Sequence, residues 1–527
     1  MGHFQQQMPS ISNEFDLNNI QGDIWPGLSK RCEKFIFFTI NNPALFKPGL
    51  HKLADQVITS SNQALLDRAK IQKVVAARTA KDGNKEESGS GLGGLAGSLA
   101  GGLLTLGLAP LTVLHDMLPE HQHIPRAKGS DDAEIVGVNI SFTNRGMTKL
   151  SSEKFEHDPF IKGQFHGMVN EGRDEAHHWL PEFAQNSIDG VLLVCGTEDA
   201  VQAKRDDLVR NYFGRTKGAT VVLELEGKER PGKMEGHEHF GFLDGKSQPI
   251  VKGLDEKSRG TRTHHTRPGV ILFGYDGEDE KSKHPAWAKD GSILVIRKLQ
   301  QFVPEWNQFV ESEAKRLNFT PGQFGARLVG RWQSGAPVQV YPDEDPVAKF
   351  AEDDPEKKII ETWNAFDYPE DNQVNCPFAA HIRKAAPRSG VGNSDVFDIL
   401  RRGIPYGEEL RDDETTETKL DRGLMFKCYQ TNLSLGFEFI RNHWINPDNF
   451  PPEKTDFTGG IDPGQDAVVG QWDKKATDKN LKTSIFDGHG KHNQVTFQSF
   501  IESHGGDYFF SPSLKLLRDL SRPRAFF

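Results

Sequence analysis

The sequence predicts an α+β fold made of two ferredoxin-like domains with antiparallel sheets, residues 1–245 and 246–527. Three observations lead there. Strand-like runs of β-branched and aromatic residues alternate with helical stretches in the order strand, helix, strand, then strand, helix, strand. The second half of the chain repeats that order. A chain of 527 residues is also too long for one ordinary core, and 36% hydrophobic residues with 35 Phe suffice to fill two.

The elements follow in turn. Cys32 to Ile40, CEKFIFFTI, alternates aromatic and β-branched residues and reads as the first strand. Pro43 to about Ala77 reads as helix. EIVGVNISFT (134–143), DGVLLVCGTE (189–198) and TVVLELEGKE (220–229) are three further strands, and DAVQAKRDDLVRNYF is a helix between the last two. In the second half GVILFGY (269–275), SILVIRKLQQF (292–302), GLMFKCYQ (423–430) and LGFEFIRNHWI (435–445) read as strands, with a helix near Val303 to Leu317. Two stretches interrupt the theme: a Gly-rich insertion at about 85–115, and an acidic, proline-punctuated loop at about 341–371.

Composition excludes several function classes. The net charge is −10 and Lys and Arg are spread thinly, so no basic stripe is present to neutralise a nucleic acid backbone. Cys32, Cys195, Cys376 and Cys428 stand apart with no CxxC or CxxCH, which points to buried thiols and away from a zinc ribbon or covalently attached haem. Ser88 to Leu114 is uncharged, but its many glycines make a poor spanning helix, so a membrane role is not expected. The first residues, MGHFQQQMPS, lack the charged and apolar regions of a secretory signal.

Three stretches carry chemistry. EHFGFLDGKSQP, Glu238 to Pro249, sets Asp244 between Gly241 and Gly245 in apolar surroundings; taken alone it reads equally as a hairpin turn. An apolar wall penalises the charge on Asp244 unless a cation answers it. NCPFAAHIRKAAPR, Asn375 to Arg388, reads as a helix of about three turns with Asn375 as cap, Pro377 in the first turn and Pro387 at its end. His381 then has small alanines beside it, leaving room for a flat macrocycle to approach an axial imidazole. DILRRGIPYG, Asp398 to Gly407, places Arg401 and Arg402 ahead of a tight turn, where either one can supply the cation for Asp244.

EHFGFLDGKSQP, CPFAAHIRK followed by APR, LRRGIPYG, GLMFKCYQTN, the terminal GGDYFFSPS (Gly505 to Ser513) and the early NIQGDIWPG together resemble the dye-decolorizing peroxidases, the fungal branch most closely. The resemblance runs from about residue 18 to 515. It implies haem b held between the two domains, with His381 as the proximal iron ligand and Asp244 with Arg401 as the catalytic pair. It further implies Leu424 and Phe426 as distal lining; Arg383 and Arg388, on the proximal helix and at its exit, are candidate propionate partners by position. Leu424 and Phe426 stand two apart on a strand and so share a face. The acid supporting the proximal histidine is either Asp462 or Asp466. One departure is Gly403, where many relatives carry Asn. The resemblance implies an extracellular protein that uses hydrogen peroxide to oxidise dyes and phenolic or lignin-related aromatics through an oxyferryl intermediate.

A carboxylate acid-base group stays competent in acid, because Asp titrates near ~4 and His near ~6.5. Bulky reductants that cannot reach a closed pocket need a surface donor, for which Tyr341 is the candidate, with Trp332 and Trp363 as others. The acidic loop offers carboxylates, Asp343, Asp345 and Asp354 among them, for Mn²⁺ as a further substrate. Two other readings stand against this one. A haem carrier or sensor of the same fold would keep His381 without needing Asp244 and Arg401 together. A non-haem metal site would use His237 and His239, spaced for one face of a strand, with His264 or His265.

Overall fold

The computed structural model describes residues 14–86, 135–245, 247–255, 265–279, 284–349, 363–392, 394–474, 477, 479–486 and 491–522. β1 (Cys32–Ile40), β2 (Val136–Phe142), β3 (Gly190–Gly196) and β4 (Ala219–Lys228) pair antiparallel in the order β4-β1-β3-β2. β5 (Ser292–Gln301), the short β6 (Leu400–Arg401) and β7 (Ile404–Tyr406), β8 (Gly423–Gln430) and β11 (Ile501–Ser511) repeat that order as β11-β5-β8-β6, with β7 also on β8. Each set therefore has the strand order 4-1-3-2 expected of a ferredoxin-like unit. β9 (Leu481–Phe486) and β10 (His492–Phe497) form a separate hairpin.

The two sets join into one nine-stranded sheet where Phe142 of β2 faces Phe510 of β11. At the other end β4 closes on β7 so tightly that a Cβ on Gly227 would fall 2.2 Å from Ile404 Cγ2. Buried phenylalanines of both sets, Phe35, Phe37, Phe142, Phe509 and Phe510 among them, share one core. All four cysteines are buried free thiols, as their isolation predicts.

Inside this core, on one face of β8, lies a buried charge network. Lys427 Nζ donates to Asp23 Oδ2 at 2.9 Å and to Glu33, Lys30 Nζ donates to Glu33 Oε2 at 2.8 Å, and Tyr429 Oη donates to Asp23 at 2.7 Å. Burial works to raise the pKa of Asp23, but Lys427 and Lys30 outweigh it and hold the carboxyl at about 2. The network contributes stability above about pH 4 that is lost as the pH falls toward 2. Removing one partner of such a network leaves buried charge unanswered. Lys427→Met is expected to lower stability by about 3–5 kcal/mol, read as a fall in the denaturation midpoint.

Several elements differ from expectation. Residues 43–77 form two helices, Pro43–Gln56 and Ser61–Glu86; the break carries Thr59, whose carbonyl accepts from Gly22 and from Asn139 Nδ2, fixing the opening loop. GVILFGY is not a strand: Pro268 opens a 3₁₀ turn through Val270, and turns follow it. LGFEFIRNHWI is helical instead, a single α turn at Phe437–Phe439 running into a π-helical turn at Ile440–Ile445. GVILFGY is apolar and short, where period alone does not separate strand from other buried structure, and LGFEFIRNHWI carries aromatic and β-branched residues that suit a strand but spaces Phe437, Ile440 and Trp444 for one helical face. The Gly-rich insertion and the centre of the acidic loop lie outside the described residues. No helix among the described residues is long and apolar enough to cross a membrane.

Candidate active site

Alternation along β8 decides which side chains meet the site. Lys427 and Tyr429 face the buried charge network, while Leu424 and Phe426 point the other way into a cavity of about 270 Å³. Arg297, Leu299 and Gln301 of β5 line the same cavity. The helix Val303–Leu317 and the helix Pro321–Val329 pack behind it around Trp306 and Phe324. The second helix starts at a capping box, Thr320 with Gln323, and ends at Gly330 with φ +92°. A Cβ at Gly330 would lie 2.4 Å from Ile382 Cγ1, so glycine lets this helix end meet the segment that carries His381.

His381 is the first residue of a helix of five residues, His381–Ala385, not of the three-turn helix that Asn375 and Pro377 predict. The side chains after it pin the short helix to loops. Arg383 donates to the carbonyls of Asn372, Cys376 and Pro369 at 3.1, 2.6 and 2.6 Å. Lys384 donates to those of Pro447, Phe450 and Gly464 at 2.8, 3.1 and 2.5 Å, and its burial pulls its pKa down to about 7. Arg383 is thereby stacked on Phe378 and turned away from the cavity lining, whereas Arg388 and Arg331 do line it.

His381 Nδ1 lies 2.7 Å from Asp466 Oδ2, and Asp466 Oδ1 accepts from Val468 N and Val469 N at 2.8 and 3.2 Å. Of the two acids left open by sequence, Asp466 is the partner and Asp462 is exposed. Burial works to lower the imidazole pKa, but the charge and hydrogen bond of Asp466 outweigh it and raise it. With Nδ1 engaged, Nε2 is the ring nitrogen left for the cavity that His381 lines.

Asp244 and Arg401 line the same cavity and touch: Arg401 Nη1 donates to Asp244 Oδ1 at 2.8 Å and Nη2 to Ser247 O at 2.9 Å. Gly245 N donates to the same carboxylate oxygen at 2.6 Å. Burial works to raise the Asp244 pKa, yet Arg401 and the Gly245 N–H hold it below the ordinary aspartate value. Gly241 and Gly245 both adopt positive φ, +95° and +74°, which the turn requires. Arg401 is held from both sides, its N donating to Gln248 Oε1 at 3.0 Å and its carbonyl accepting from Gln248 Nε2 at 3.1 Å. Its neighbour Arg402 points away, donating to the carbonyls of Asp23, Ile24 and Pro26 at 3.1, 3.1 and 2.9 Å. That anchoring assigns the two adjacent arginines to different faces.

Comparison with known proteins agrees with this geometry. Residues 19–89 and 104–231 match the model of the DyP dimeric alpha+beta barrel domain, and 240–462 match that of the Dyp-type peroxidase C-terminal domain. Peroxidase 2 of Mycetinis scorodonius is 32% identical over 98% of this chain and 89% of its own length. A dye-decolorizing peroxidase of Mycena epipterygia is 33% identical over 97% and 88%. The chain belongs to the dye-decolorizing peroxidase family. Solved structures place it in the same fold: an ancestral D-type dye-decolorizing peroxidase has TM-score 0.76 at 35% identity, covering 97% of this chain and all of that one. The dye-decolorizing peroxidase of Auricularia auricula-judae has TM-score 0.74 at 28%, covering 96% and all of that chain.

Family membership makes the chain a peroxidase and implies haem, and the cavity fits such a group. Its walls are largely apolar, a histidine with one committed nitrogen lines it, and Arg331 and Arg388 supply cations for carboxylates. Of the other predicted positions, Trp332 and Trp363 are buried together, with the half-buried Tyr341 packed against them. Asp343 is exposed, Asp345 accepts from Ser334 Oγ and Val347 N, and Asp354 lies outside the described residues. Among the described residues no three His, Cys, Asp or Glu side chains converge as a metal site. His239 Nε2 meets Tyr406 O at 2.8 Å and His237 Nδ1 meets Glu235 O at 3.0 Å; His265 is exposed and His264 lies outside the described residues.

Sequence reasoning missed Glu238. Its carboxylate lines the cavity and accepts from Phe240 N and Phe242 N, both at 2.8 Å, and from Gln301 Nε2 at 2.5 Å. Burial raises its pKa, and the nearby Asp244 adds in the same direction. The only signal was its place at the start of the Asp244 stretch. Arg297 and Arg441, which share Asp174 behind the cavity wall, gave no signal at all.

Proposed function

We propose that this chain reduces hydrogen peroxide at a haem b seated in the cavity and oxidises dyes and phenolic aromatics. The observation that carries the reading is the convergence on one cavity of an aspartate-backed histidine and an arginine-paired aspartate. His381 Nε2 would hold the iron, with Asp466 fixing the ring and raising its basicity. Bound haem supplies the iron that receives two oxidising equivalents from peroxide.

The chain's own residues manage protons and charge. Asp244, ionised through its contact with Arg401, takes a proton from one peroxide oxygen and returns it to the other. The Arg401 guanidinium steadies the peroxide anion and the charge that grows on the leaving oxygen. Leu424 and Phe426 keep that space apolar, which strengthens both interactions. A carrier or sensor has no use for this ion pair.

Stopped-flow absorbance of the haem-loaded protein tests the reading. A Soret band that shifts on mixing with one equivalent of hydrogen peroxide and recovers on adding a phenol is the expected result; an unchanged band would refute it. Arg401→Leu is expected to slow the peroxide step by about 10²- to 10³-fold. It also removes the charge that holds the Asp244 pKa down, so the acid limb of the rate profile should move to higher pH.

A further inference from the structure

Lys384, three residues after His381 on the same short helix, is fully buried. Its ammonium spends its N–H groups on the carbonyls of Pro447, Phe450 and Gly464, and no carboxylate among the described residues forms an ion pair with it. All three carbonyls belong to one stretch, the run from the π-helical turn at Ile440–Ile445 to Asp466. Gly464 is its tightest point: its N donates to Asp448 O at 2.6 Å, its φ is +98°, and a Cβ there would fall 2.3 Å from Thr483 Cα. Two residues on, Asp466 N donates to Ile445 O at 3.2 Å and the Asp466 carboxylate meets His381. Lys384 Nζ therefore ties the helix that carries His381 to the loop that carries Asp466.

A buried ammonium is a costly way to fill space. Lys427, equally buried, is answered by Asp23 and Glu33, whereas Lys384 meets carbonyls alone. Burial pulls its pKa down to about 7, against the charge of Asp466 and then that of Asp448. What the lysine adds over a methionine of similar volume is a set of donors and a charge. The acid on which that charge acts most strongly is the one that supports His381.

We propose that Lys384 is a positioning residue that sets the donor strength of His381: it holds the Asp466 loop against the proximal helix and offsets part of the Asp466 charge. The inference rests on the peroxidase reading above, in which His381 holds the iron. A carboxylate pulling on the Nδ1 proton makes the imidazole a stronger donor, which favours the ferric state. A cation beside that carboxylate restrains the pull. Asp466 and Lys384 thus act in opposite senses on one ring. The lysine keeps the site a better electron acceptor toward dyes and phenols than the aspartate alone would leave it.

The test is spectroelectrochemistry of the haem-loaded protein at about pH 5, where the Lys384 ammonium is charged, together with resonance Raman of the ferrous form. Lys384→Gln keeps side-chain N–H donors and loses the charge; Lys384→Met loses both. Both variants are expected to show a lower reduction potential and a higher iron-histidine stretching frequency, and the shift is expected to be largely lost when either is made in an Asp466→Asn background. A lysine that only braces the loop gives another pattern: Lys384→Gln keeps the unaltered potential, and Lys384→Met raises it as Asp466 drifts from His381. Either of those results, or a shift of the same size in the Asp466→Asn background, would overturn the proposal. If Lys384→Met does not fold, Lys384→Gln decides alone, a fall in potential supporting the proposal and no change or a rise overturning it. An unaltered protein whose ferrous form shows no iron-histidine band would instead overturn the reading of His381 as the iron ligand.

Discussion

Asp244→Asn is expected to slow the reaction with hydrogen peroxide by about 10²- to 10⁴-fold, the range for removal of a positioned acid-base group. Asn keeps the shape and can still accept from Arg401, so the pocket geometry is retained while the proton shuttle is lost. Stopped-flow absorbance at the Soret band measures the rate; equal rates for the two proteins would remove Asp244 from the chemistry. The pH profile gives a second measure. Because Arg401 and the Gly245 N–H hold its carboxyl below the ordinary value, the base form persists as the pH falls past about 4. The wild-type rate is therefore expected to hold into acid and to fall only as the pH passes through that depressed value. A histidine base would fail near ~6.5.

Asp466→Asn is expected to weaken haem binding by about 10- to 100-fold, as loss of a group that orients a metal ligand typically does. Asn keeps one oxygen near His381 Nδ1 but removes the charge, so the imidazole becomes a poorer donor and the iron easier to reduce. Competitive haem transfer measures the affinity, and spectroelectrochemistry should find the reduction potential raised. Potential and affinity both unchanged would show that Asp466 only fills space.

The parts of the fold legible in sequence are those where one physical signal dominated. β1, β3, β5 and β8 announce themselves by runs of β-branched and aromatic residues, and their repeated order carried the fold class. The helix expected near Val303 to Leu317 was legible because its apolar stripe has a helical period. GVILFGY failed because it is almost wholly buried, where burial alone sets composition and period is silent, and LGFEFIRNHWI failed because its aromatic and β-branched residues outweighed the helical spacing of buried Phe437, Ile440 and Trp444. In the site, Asp244, His381 and Arg401 stood in the motifs that carry the family resemblance, and the resemblance gave them their roles. Choosing Asp466 over Asp462 needed contacts with residues far off in the chain, and what Arg402 does instead, anchoring the opening loop, was likewise invisible until Asp23, Ile24 and Pro26 were seen beside it. Arg383 shows the converse: its charge suggested a haem partner, and its carbonyl contacts make it a brace for the proximal helix.

The joining of the sheet at β11 sets an order on biosynthesis. β11 pairs with β5 and lies against β2, and Gln21 Nε2 reaches the carbonyl of Pro512 while Leu514 N donates to Asn19 O. One wall of the cavity and the joint between the two strand sets thus depend on contacts spanning almost 500 positions. The first strand set can assemble while the ribosome is still working, but the cavity cannot close until residues past 512 have emerged. Pairings this distant are slow to form and leave strand edges bare meanwhile. The interval before β11 joins β2 and β5 is when the nascent protein is most open to aggregation.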